Sequence, residues 1–75
     1  RGDPQRYRLI PGPADSHILQ IFSPVPMWAR RRWNAIGEHV PSLGCLFAYR
    51  FANSELAEEL KFARNELWLD EASAT

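Results

Sequence analysis

The chain has 75 residues, 45% hydrophobic and 24% charged, with a formal net charge of zero. That is room for one domain and one core, since domains need about 50 to 250 residues, and the apolar content excludes the sparse, highly charged profile of a disordered chain. Cys45 is the single cysteine, which excludes an internal disulfide; no apolar run approaches the roughly 20 residues of a membrane span and no signal-peptide pattern opens the chain, so a cytoplasmic protein is expected.

Residues 1–5 hold Gly2, Asp3 and Pro4 and read as a loose N-terminal arm. Arg6 to Ile10 reads as a short strand, ended by the turn-rich Pro11-Gly-Pro-Ala-Asp-Ser16. His17 to Phe22 is rich in Ile and Phe and reads as a second strand, antiparallel to the first. Ser23-Pro-Val-Pro26 breaks it, because proline cannot donate to the ladder and suits the first turn of a helix. A helix is expected from Met27 toward Val40, with Ala29, Trp33, Ile36 and Val40 stacked on one face. Pro41-Ser-Leu-Gly44 ends it, and Gly44 to Phe51 is the strongest strand signal in the chain. A second helix is expected from Asn53-Ser54 to Leu69, capped by Ser54 and striped by Leu56, Leu60, Ala63 and Leu67. Residues 70–75 should fray.

The link between the second and third strands is about 20 residues long and carries a helix, which is enough for a parallel crossover. The expected fold is therefore α+β: one two-layer domain over residues 6–69 in ββαβα order, a three-stranded mixed sheet with both helices on one face. In architecture alone such a half-covered sheet resembles part of a ferredoxin-like plait.

Chemistry-bearing residues are scattered. Asp15-Ser16-His17 has the residue types of a triad, but neighbours on one strand point in different directions and cannot converge. Cys45 lies in an apolar strand, where a thiol is inert packing. His17, His39 and Cys45 lack metal-ligand spacing, and the four glycines match no phosphate loop. Glu55, Glu58 and Glu59 read as a solvated, dipole-matched helix face. No enzyme activity, cofactor or metal is expected.

Two surfaces ask for a partner. Phe62 and Leu69, flanked by Trp68, project from the closing helix opposite its core stripe, which is the pattern of a helix contacting both its own domain and another protein. A domain this small buries little of its chain, so assembly as a homodimer, or docking on another subunit through Phe62, Trp68, Leu69 and the open sheet face, is the leading expectation. The second reading is nucleic-acid binding through the basic-aromatic set Trp28, Arg30, Arg31, Arg32 and His39 on the first helix. Residues 1–50 carry a charge of +4 and residues 51–75 one of −4, which favours self-complementarity over a wholly basic binding protein.

Overall fold

The computed structural model describes residues 6–36, 38–39 and 45–69, the side chains of residues 35, 36, 38 and 39 excepted. The expected arm at 1–5 and tail at 70–75, together with Gly37 and Val40, lie outside the described residues. The elements are β1 (Tyr7–Pro11), β2 (Ser16–Ile21), α1 (Met27–Ile36), β3 (Glu38–His39), β4 (Phe47–Ala52) and α2 (Asn53–Glu66).

β1 and β2 form a hairpin registered Tyr7↔Ile21 through Pro11↔His17. Its turn is closed by the Gly12 N–H on Ser16 O at 3.0 Å and by the Ser16 hydroxyl donating to Pro13 O at 2.5 Å. Gly12 has to be small here, because a Cβ would lie 2.6 Å from Ser16 Oγ. The bonds Phe22 N–H to Arg6 O and Gly12 N–H to Ser16 O set the phase of the ladder. Even-numbered residues of β1 therefore bond β2, and Pro11 places its missing N–H on the free edge, where it costs no ladder bond.

The sheet order is β1-β2-β4-β3, and every neighbouring pair is antiparallel. This corrects the expected mixed sheet with β4 parallel to β2. The crossover does occur, but it lands on β3, which runs parallel to β2 without touching it. The chain then turns back and inserts β4 between the two, in a split β-α-β arrangement. Two residues are too few to leave a periodic signature, so β3 is silent in the sequence, and α1 stops at Ile36 instead of running toward Val40.

Alternation puts Tyr7, Leu9, Leu19, Ile21, Phe47, Tyr49 and Phe51 on one face, and all of them join the core cluster. Both helices cover that face. Trp33 of α1 is fully buried, and its ring lies 6.2, 5.2 and 5.9 Å from those of Phe47, Tyr49 and Phe51. Contacts of Trp28 with Phe62, and of Arg32 and Trp33 with Glu59, show that α1 and α2 run antiparallel. The other sheet face carries Arg8, Ile10, Ile18, Gln20, Ala48 and Arg50, so the aromatic strand positions lie beneath the helices and not on the open side. There Arg8 Nε donates to Gln20 Oε1 at 2.8 Å and its guanidinium lies 5.6 Å from the Phe22 ring centre.

α2 begins without the expected Ser54 cap. Ala52 is its N-cap residue and offers no side-chain bond, while the Asn53 N–H donates to Asp15 O at 3.0 Å, so the hairpin turn supplies the acceptor. At the other end the helix stops at Glu66, short of Leu69. Trp68 takes a left-handed conformation (φ 56°), which lets the Leu69 N–H return to Ala63 O, the oxygen that also accepts from Leu67 N–H. Among the described residues, no helix is long and apolar enough to cross a membrane.

Candidate functional site

The seam between α1 and α2 is built around a buried carboxylate. Glu59 is 3% exposed, and its Oε1 accepts the Trp33 indole N–H at 2.6 Å and an Arg32 guanidinium N–H at 2.6 Å. The acid sits on the inner face because the indole proton would otherwise have no acceptor, and a buried charge needs such partners. A solvated position, the expectation for Glu59, is thus corrected.

Above this bond the helices meet in an aromatic contact that opens to solvent. Trp28, 52% exposed, stands edge-on to Phe62 at 5.8 Å, and Phe62 also packs edge-on to Trp33 at 5.5 Å. The Arg32 guanidinium lies 4.0 Å over the Phe62 ring. Phe62 is therefore half-buried in the seam and does not form a separate outer stripe. Leu69, 3% exposed, is a core residue, because the chain leaves the helix at Trp68 and turns it inward. Of the expected interface residues Phe62, Trp68 and Leu69, only Trp68 is exposed.

The basic run divides in a similar way. Arg30 Nε donates to Val25 O at 3.0 Å, and its guanidinium lies 5.6 Å from the Phe47 ring. Arg32 serves Glu59, while Arg31 points to solvent. His39 is on β3 opposite Tyr49, not on the helix face to which it was assigned. The structure brings Trp28, Arg32 and Phe62 together, residues that the sequence had divided between two different surfaces.

Next to the seam is a pocket of about 220 Å³ between the Ser23–Pro26 segment and the end of α2. Val25, Pro26, Leu67, Trp68 and Leu69 line it, and among the described residues Glu66 is the one charged residue that does so. Glu66 also lines a second, open groove with Arg32, Glu58, Lys61, Phe62 and Asn65. No sequence signal marks this pocket: Ser23-Pro-Val-Pro26 reads as punctuation, and nothing local shows that the helix C-terminus folds over it.

Two polar arrangements remain. His17 Nδ1 is 2.7 Å from Asn53 Oδ1, and Asn53 Nδ2 donates to Asp15 Oδ1 at 2.7 Å, tying the hairpin turn to the start of α2. Ser16 is bonded to Pro13 O and takes no part in it. The Tyr49 hydroxyl has two acceptors, Arg30 O at 2.9 Å and Asn34 Oδ1 at 2.6 Å, and donates to one of them at a time. Burial pushes its pKa up to about 12. No group of three or more metal-ligating side chains occurs among the described residues. Comparison with known proteins finds no matching family model, no similar curated protein and no similar solved structure.

Proposed function

We propose that this small α+β domain is a non-catalytic assembly module, joining a second copy of itself or another subunit through the edge where α1 meets the end of α2. One observation carries this reading: Trp28 and Trp68 remain 52% and 44% exposed on an edge that also holds Phe62 and a largely apolar pocket. Tryptophans beside desolvated pockets are the residues that dominate protein interfaces. The sheet edges favour this choice. β1 ends on Pro11 and β3 is two residues long, so neither offers much backbone for strand addition.

A phosphate-binding face draws less support from the geometry, since Arg30 and the partly exposed Arg32 are engaged within the fold. Salt-dependent binding to single-stranded RNA, lost in Arg31→Ala, would favour it.

Sedimentation equilibrium tests the assembly. A dimer at micromolar concentration that dissociates in Trp28→Glu is the expected result. Phe62 and Leu69 are unsuitable targets because both pack within the fold. A wild-type chain that stays monomeric at high micromolar concentration sinks the homodimer form, and a dimer indifferent to Trp28→Glu moves the interface elsewhere.

A further inference from the structure

The sheet face turned away from both helices carries charge of one sign at the β1–β2 hairpin. Its outer positions there pair Arg6 with Phe22, Arg8 with Gln20 and Ile10 with Ile18, and they include no acid. Arg50, the cation farther along this face, stands opposite Glu38 in the register, so the excess positive charge sits on the hairpin. Arg8 is held in place. Its Nε donates to Oε1 of Gln20, itself 4% exposed, and its guanidinium lies 5.6 Å from the Phe22 ring centre. Its two terminal nitrogens make no hydrogen bond among the described residues. An exposed guanidinium fixed at Nε keeps free the edge that matches a carboxylate, and it has little side-chain freedom left to lose on binding.

We propose that this hairpin face docks a partner protein through an acidic residue flanked by apolar ones. The carboxylate pairs with Arg8, beside Arg6, and the apolar neighbours lie on Ile10 and Ile18 to one side and on Phe22 to the other. Each of these rows is two residues along the strands from that of Arg8, roughly 7 Å, so one short segment reaches all three. Charge selects an acidic occupant, because a cation set against Arg6 and Arg8 is repelled. Protein is favoured over nucleic acid on two grounds. Phe47, Tyr49 and Phe51 are buried on the opposite face, and Phe22 is half-buried with the Arg8 guanidinium over it, so bases find no open ring to stack on. A chain of zero net charge also exerts little long-range pull on a polyanion. A second copy is disfavoured because its exposed acids Glu55, Glu58 and Glu66 are interspersed on α2 with Lys61 and Arg64. The surface lies across the sheet from the Trp28 edge, so the inference does not depend on the assembly reading.

The test titrates two capped peptides, acetyl-Ile-Ser-Glu-Ser-Ile-amide and its Gln counterpart, into the chain while amide, methyl and arginine side-chain NMR shifts are followed, with oligothymidylate titrated in parallel. The Glu peptide should shift the Arg8 Nε–H, the Gln20 side-chain amide and the Ile10 and Ile18 methyls together. It should bind about 2- to 5-fold more tightly than the Gln peptide, the size of an exposed ion pair. Arg8→Gln should abolish that preference. The wild-type comparison needs no variant, so a misfolded Arg8→Gln leaves the test intact. Equal binding of the two peptides to the wild type, no shift at Arg8 at millimolar peptide, or the same preference in folded Arg8→Gln overturns the inference. Tighter binding of oligothymidylate at the same groups makes the occupant a nucleic acid, and shifts there that grow with protein concentration alone make it a second copy; either result overturns it too.

Discussion

Replacing Glu59 tests the seam most directly. In Glu59→Ala the Trp33 indole N–H, fully buried and now without an acceptor, costs about 1–3 kcal/mol. Losing the one buried methylene, Cγ, adds about 1 kcal/mol. The Arg32 ion pair adds little, about 0–1 kcal/mol, because its side chain is 39% exposed and water takes over. The expected loss is therefore about 2–5 kcal/mol. A chain of 75 residues has on the order of 4–11 kcal/mol in total, so this variant is close to unfolding. Glu59→Gln keeps a carbonyl for the indole and should cost about 1 kcal/mol. Urea unfolding followed by tryptophan fluorescence and far-ultraviolet circular dichroism measures both variants. A loss in Glu59→Ala below about 1 kcal/mol, or equal losses in the Ala and Gln variants, would refute the assignment of the indole bond as the main term.

Alkaline pH tests Tyr49. Its phenol titrates near 10 when unfolded and at about 12 when folded, so stability is intact below pH 10 and falls as the pH rises toward 12, by on the order of 3 kcal/mol. Tyr49→Phe should flatten that alkaline limb; an unchanged slope would show that burial is not holding the proton on. Ala14 sits at φ 53° in the hairpin turn, a conformation that glycine adopts freely. Ala14→Gly should therefore leave stability equal or raise it by up to about 1 kcal/mol, the relieved strain offsetting the added freedom of the unfolded chain. A clear loss in thermal or urea unfolding would contradict this.

Proline and glycine punctuation makes the start of α1 and the hairpin legible, Asn53-Ser54 marks the start of α2, and the Ala29 and Trp33 stripe does face the sheet. The errors have separable causes. Phe62 falls outside the stripe defined by the leucines of α2, and a helical wheel cannot reveal that a second helix leans against that side. Leu69 faces outward only on a helix continued past Glu66, and no residue preference foretells a left-handed tryptophan. Charge alone places Glu59 in water, although an indole donor and an arginine together make an acid tolerable inside. Loop length does imply a crossover to a parallel strand, but the strand on which it lands has two residues and leaves no sequence signal. Ser23 and Pro26 form a pocket wall only once the end of α2 has folded across them, so that part of the candidate site depends on tertiary structure.

The central position of β4 has a consequence for how the chain reaches its fold. β2 and β3 are both complete before β4 exists, yet they never bond each other, and the strand that joins them comes last. Its pairing with β2 links Ile21 to Phe47 across the long segment that carries α1 and β3. Until that closure the hairpin has an open edge and an uncovered apolar face, and a two-stranded hairpin alone is marginal in water. The domain thus has no stable half. Its folding should be a single slow-closing event governed by a long-range contact, with the β2 edge, meanwhile, the surface most in need of protection.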